Sequence, residues 1–210
     1  GIQPDKTEWV HANLTSNIEA YLAGVSRLGV PGGTMVTLGM LPDIARTVMT
    51  RSLPQPETGF SVDPRQHLKQ EIDLYGIDHA TLGGILAQRW GMPPRLVSCI
   101  ARHHWPMFWP LRDIGQSNND TIKELSILAV SDIAAKNFTQ EITGAYIGDD
   151  YYRYINKPPR MDSILIPEIT KDLKRIRRIM LNTDEESQDL LEKVQRSEER
   201  RVGKECRSRW

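Results

Sequence analysis

Two cysteines in 210 residues are too few for a disulfide framework or a thiolate zinc site. No apolar run reaches the eighteen or so residues that span a bilayer, and no basic-then-apolar leader opens the chain. No stretch alternates apolar and polar residues in the manner of a strand. Charge of one sign is absent too, with 27 Lys and Arg against 27 Asp and Glu. Such a balance carries no electrostatic footprint for nucleic acid or for an anionic membrane. These absences predict a soluble, cytoplasmic, all-α protein that binds neither nucleic acid nor membrane. At 39% hydrophobic composition the chain can bury one good core.

Both ends of the sequence are set apart from that core. Gly1 to Trp9 opens without a methionine, which predicts a fragment whose residues 1–16 are a truncated N-terminal segment. Residues 196–210, RSEERRVGKECRSRW, have no apolar period and resemble the conceptual translation of a sequencing adapter, a non-native tail. Taking its six basic and three acidic residues from the totals leaves 21 against 24, a mildly acidic remainder. Cys206 goes with the tail, and Cys99, inside an apolar pattern, reads as a small core residue.

Between the ends, apolar residues recur at helical spacing. Ser16 and Glu19 form a possible capping box before Ile18, Leu22 and Val25, with Gly29 as the stop. A second helical stretch over 34–50 should kink or restart at Pro42, and 52–61 is a loop. Asp63-Pro64 starts a helix in which Leu68, Ile72 and Tyr75 share a face and Gly76 is the end. Asp78 caps the next, with Leu82, Ile85, Leu86 and Trp90 as its buried stripe. After Gly91, Pro93-Pro94 open a helix that turns Leu96, Val97 and Ile100 inward. A further helix from Asp120 or Thr121 carries Ile122, Leu125, Leu128, Ala129 and Ile133 on one side. Residues 17–143 thus form a helical bundle, 144–165 read as a linker, and 166–195 as an amphipathic helix and a charged one. The basic cluster from Lys171 to Arg178 has the default reading of a solvated face. Gly32-Gly33 is too isolated to be a phosphate loop.

Titratable groups on apolar faces are the candidates for chemistry, because burying them costs several kcal/mol unless they are paired or metal-bound. His79 opens its helix beside Asp78, His103 and His104 follow the inward face of Cys99 and Ile100, and Asp132 falls on the face of Leu125 and Leu128. On spacing alone these are structural groups hydrogen-bonded to backbone or to one another. Trp105, Phe108 and Trp109, in a proline-bounded loop, are either a partner-contact surface or a lid on the bundle.

The run from Glu71 to His104, EIDLYGIDHATLGGILAQRWGMPPRLVSCIARHH, resembles the bacterial HDOD family closely: an acid, Gly-x-x-His, Gly-x-x-Leu, Trp-Gly-x-Pro and a closing His-His. Ala20 to Gly24 and Ala129 to Asp132 extend the resemblance over roughly 17–138; His11 is not carried over as a ligand. The resemblance implies an HD-like helical bundle related to the HD and HD-GYP phosphohydrolases. Catalytic relatives carry a His-Asp dyad, at a place that corresponds here to Ser26-Arg27, a poor ligand and a fixed positive charge. The resemblance therefore implies no catalytic residues, no cofactor, and a regulatory domain in signal transduction. Its partner would be a protein, or an upstream sensor or receiver domain. The alternatives are a metal-dependent phosphohydrolase or a small-anion or nucleotide binder. A remnant site with a divalent transition metal would use His79, His103, His104 and Asp132. Otherwise Arg27, Asp78, His79, His104 and Asp132 form a ligand or structural pocket in which Arg27 pairs with Asp132 or Asp78.

Overall fold

The computed structural model describes residues 6–57, 59–61, 63–117, 121–139 and 147–158, all within the unit Gly1–Ile164. Among these residues the chain is helical throughout: α1 (Lys6–Ser26), α2 (Gly32–Met40), α3 (Ile44–Ser52), α4 (Pro64–Tyr75), α5 (His79–Arg89), α6 (Pro94–Arg102), α7 (Leu111–Ser117), α8 (Ile122–Thr139) and α9 (Asp149–Tyr154), with a 3-10 turn at Trp105–Met107. None of these helices is long and apolar enough to cross a membrane.

Helix α8 is the axis. Ile122, Leu125, Ile127, Leu128, Ala129, Val130 and Ile133 are all buried, so the stripe expected on one side continues around the helix. A helix buried on every side belongs in a core, and its polar residues there, Glu124, Ser126, Ser131 and Lys136, are buried with it. It packs against α1, α2, α6, α7 and α9.

Several starts and stops follow the punctuation in the sequence. The Asp63 carboxylate accepts from Arg65 N at 2.9 Å, Pro64 fills the first helical position, and Gly76 closes α4 at φ 74°. The Asp78 carboxylate accepts from Thr81 N at 2.7 Å. The stretch over 34–50 is broken near Pro42 into α2 and α3, because proline lacks the donor a continuous helix needs.

Other expectations are corrected. Helix α1 starts by Lys6, ten residues before the expected capping box, so part of the segment 1–16 belongs to the bundle. Ser16 lies inside it and donates to Val36 O at 3.1 Å, while Glu19 is fully buried. The helix ends at Ser26, where Arg27 turns into the left-handed region at φ 59°. On α5 the predicted stripe holds only in part: Leu82 and Leu86 are half-buried, Ile85 and Trp90 are exposed, and the buried face is His79, Ala80, Gly83, Gly84 and Ala87. The two glycines let α6 approach so closely that a Cβ on Gly84 would lie 2.6 Å from Ala101 Cβ. On α4, Ile72 is exposed and the inward residues are His67, Leu68 and Glu71.

The expected linker 144–165 is described over 147–158, and there it is no linker. Helix α9 buries Tyr151 and Tyr152, with Ile147 and Ile155 buried beside it. Asp150 accepts from Leu111 N at 2.7 Å, capping the start of α7; Tyr151 donates to Trp109 O at 2.6 Å. Asn156 donates to Ser26 O at 2.8 Å, at the end of α1. The helices expected over 166–195 and the tail 196–210 lie outside the described residues.

Candidate metal centre

The inward faces of α4, α5 and α6 are small or polar because they carry a cluster of imidazoles and carboxylates. Glu71, 2% exposed, sits one turn after His67 on α4 and holds two rings at once. Its Oε1 lies 3.1 Å from His67 Nε2, and its Oε2 lies 2.7 Å from His79 Nδ1 and 2.9 Å from the His79 backbone N–H. The acid thus satisfies a free amide of the first turn of α5 while fixing its ring. Phe60 stacks on His67 with centroids 4.4 Å apart.

With Nδ1 donating to Glu71, His79 turns Nε2 to the interior. It lies 2.8 Å from His104 Nε2 and 3.1 Å from Asp43 Oδ1. His103 is held similarly: its Nδ1–H donates to Ile100 O at 2.7 Å, and its Nε2, buried and without a hydrogen-bond partner, lies 3.9 Å from the same Asp43 oxygen. Asp43 stands at the N-cap of α3 but makes no capping bond, although an aspartate there usually contributes about 1 kcal/mol by capping. Its side chain is turned to the histidines instead and is 29% exposed, while Oδ1 is buried and has no aligned hydrogen bond despite its closeness to His79.

Each of Asp43, His79, His103 and His104 offers a ligand atom, all within 4.8 Å of one another. Rings oriented by an outer oxygen on Nδ1, with Nε2 left for the centre, are the usual arrangement around a bound metal. Unpartnered buried lone pairs at the focus need a cation or proton to compensate them. Three imidazoles and one carboxylate suit a transition metal such as zinc, cobalt or iron better than magnesium or calcium. The donor set therefore fits one such ion, which would polarise a bound oxygen ligand and lower the pKa of a bound water.

Without a metal, protons divide unequally. Burial pulls His79 down, but the carboxylates of Asp43 and Glu71 outweigh it and raise it to about 9. Burial, with His103 and His79 beside it, holds His104 well below the usual range. His79 can thus donate to a neutral His104. Burial likewise opposes ionisation of Glu71, but His67 and His79 bring it to about 2. Asp43 is held well below the carboxylate range because His79, His103 and Arg46 outweigh its burial.

A second group adjoins the first. His11 of α1 places Nε2 2.9 Å from Asp132 Oδ1, and Lys136, one turn further along α8, places Nζ 2.7 Å from Asp132 Oδ2. Burial opposes the charge on all three, but their mutual attraction prevails: Asp132 is lowered, and His11 and Lys136 are raised. Asp43 acts on each of them and Lys136 acts on His104, so the two groups share one field.

The structure thus brings His79, His103 and His104 together, as expected of a remnant site, but the acid among them is Asp43. Asp132 lies in the neighbouring group with His11, and Asp78 is spent on capping α5. Arg27 is exposed and has no ion pair among the described residues, so its expected pairing with Asp132 or Asp78 is not made. Ser26-Arg27 ends α1; the adjacent pair whose acid enters the cluster is Pro42-Asp43. An aspartate at a helix restart just after a proline was the available signal for it. Phe108 and Trp109 are 48% and 55% exposed, and Trp105 lies under Arg102 at 4.9 Å.

The family model of the HDOD domain matches residues 4–106. Among solved structures, a candidate phosphohydrolase from Shewanella amazonensis SB2B is 21% identical, with a TM-score of 0.50 over 73% of this chain and 54% of that one. An HDOD domain protein of unknown function from Geobacter sulfurreducens is 14% identical, with a TM-score of 0.54 over 80% of this chain and 60% of that one. At these identities the likeness is one of fold, and the chain spans little more than half the length of either protein. No curated protein matches the chain.

Proposed function

Residues 4–106 of this chain form an HDOD domain, related to the HD phosphohydrolases, and from that premise we propose that it is a regulatory output domain that binds one transition-metal ion without hydrolysing phosphodiesters. The observation that carries this reading is the pair Pro42-Asp43. The carboxylate beside the histidines is present, but the residue before it, where the dyad has an imidazole, is a buried proline with no nitrogen to offer. The remaining ligands fit an ion; the pair that a catalytic relative uses is incomplete. A fold shared with hydrolases does not by itself carry their activity.

The bound ion then serves to hold α3, α5 and α6 together, and its gain or loss changes how they pack. The exposed Phe108 and Trp109, a few residues after His103-His104, offer such a change to a protein partner or to an upstream sensor or receiver domain in the cytoplasm. A small-anion or nucleotide site that relies on Arg27 as its counter-charge has less support, because Arg27 is exposed at the end of α1.

The test uses the full chain, purified without chelator. Elemental analysis should find close to one equivalent of transition metal, and His79→Ala/His104→Ala should find none. Bis(4-nitrophenyl) phosphate and cyclic dinucleotides should not be turned over with added manganese, cobalt or zinc. Turnover that disappears in Asp43→Asn would make the protein a hydrolase, and metal-free folded wild type would remove the ion from the proposal.

A further inference from the structure

We infer that Lys136 is a built-in cation that closes the His11–Asp132 group to metal. The inference rests on the metal-binding reading above and concerns the group next to that site. The two groups differ in what their ligand atoms already hold. In the first, His103 Nε2 and Asp43 Oδ1 are buried without hydrogen-bond partners. In the second, both oxygens of Asp132 are taken, Oδ1 by His11 and Oδ2 by Lys136.

The placement of the lysine is unusual for a surface ion pair. Its side chain is 11% exposed, on a stretch of α8 where Ile133 and Ala135 are buried as well. A buried ammonium persists only where a carboxylate compensates it, and here Asp43 reinforces Asp132. Removing it would leave Asp132 Oδ2 without its cation, next to the Oδ1 that His11 Nε2 already meets, so that a carboxylate and an imidazole nitrogen stand together for an ion to take the place of the ammonium. With it in place, an arriving cation meets a fixed positive charge on the carboxylate it would need.

Cobalt(II) counts the sites, because its visible bands report inner-sphere nitrogen and oxygen ligands as each equivalent binds. Wild type and Lys136→Arg should saturate at one equivalent. Lys136→Gln should take up a second, and His11→Ala added to it should abolish that second uptake. Elemental analysis after desalting checks the counts, and circular dichroism checks that each variant is folded. A second equivalent in wild type that His11→Ala removes would overturn the inference, as would a folded Lys136→Gln that takes up no more than wild type. Should Lys136→Gln not fold, Lys136→Met replaces it, and the wild-type count decides independently. If wild type binds no cobalt, the metal-binding reading fails; Lys136→Gln then decides alone, His11-dependent uptake supporting the inference and no uptake overturning it.

Discussion

Gly39→Ala should loosen the whole bundle, although alanine is the better helix former. The gain in propensity is at most about 1 kcal/mol. Against it, a Cβ at position 39 would lie 2.4 Å from Ser16 Cα and 2.6 Å from Ser16 N. Both are backbone atoms of α1, which cannot swing aside as a side chain can. Ordinary contact begins near 3.4 Å, so α1 and α2 must separate by about 1 Å. Overpacking of this kind costs about 1–3 kcal/mol, sometimes more, and a backbone obstacle puts the case at the upper end. The net loss is about 2 kcal/mol, or a fall in Tm of about 4–8 °C for a chain of this size. Gly33→Ala, in the same helix with nothing within 4 Å, is the matched control and should be neutral or slightly stabilising. Differential scanning calorimetry of the three proteins measures both effects. Because α2 ends at Met40, just before Asp43, Gly39→Ala should also weaken cobalt binding. A Gly39→Ala protein that melts at or above wild type would refute the argument that the glycine is there for close approach.

Other expectations concern groups away from the metal cluster. Burial raises Glu19 well above the usual carboxylate range, the Gly39 amide offsetting only part, so its folded-state pKa exceeds its unfolded one. Its contribution to stability is therefore full below the unfolded pKa and is lost as pH rises through the folded value. Glu19→Met should be more stable than wild type at pH 7, by about 1–3 kcal/mol for a buried carboxyl that is poorly compensated; the advantage should shrink as pH falls to 5, as read by urea unfolding at each pH. Tyr151→Phe removes the bond to Trp109 O and should cost about 1 kcal/mol. Asp150→Ala uncaps α7 and should cost about 0.5–2 kcal/mol, which hydrogen exchange at the Leu111 amide would localise.

The all-helical class and several helix starts were legible in the sequence because proline, glycine and aspartate act over a few residues: Asp63-Pro64, Gly76 and Asp78 each do locally what their chemistry dictates. His79, His103 and His104 were legible as a group for the same reason, imidazoles on inward faces. What escaped depended on distant contacts. Apolarity on α5 suggested Ile85 and Trp90 inside, but the close approach of α6 selected Gly83, Gly84 and Ala87. No local pattern beyond its place after Pro42 marks Asp43 as a site residue; its role exists only because α5 and α6 bring three rings to it. His11 and Lys136 acquire their roles only through Asp132, the former across a separation of 121 residues. Local pattern says little about such pairs.

Helix α9 also bears on the order in which the chain can complete itself. It is the last described element to leave the ribosome, yet Asn156 just beyond its end donates to Ser26 O across 130 residues, and its Asp150 caps a helix begun 39 residues earlier. Until it arrives, the end of α1 and the start of α7 each lack a partner, and the surfaces that Tyr151 and Ile155 cover are wet. Bonds of such long range delay folding, since the entropy of closing the intervening chain is lost before any contact forms. Release of a nascent chain at residue 143 should therefore yield an unfinished, aggregation-prone bundle, and release after residue 158 a closed one.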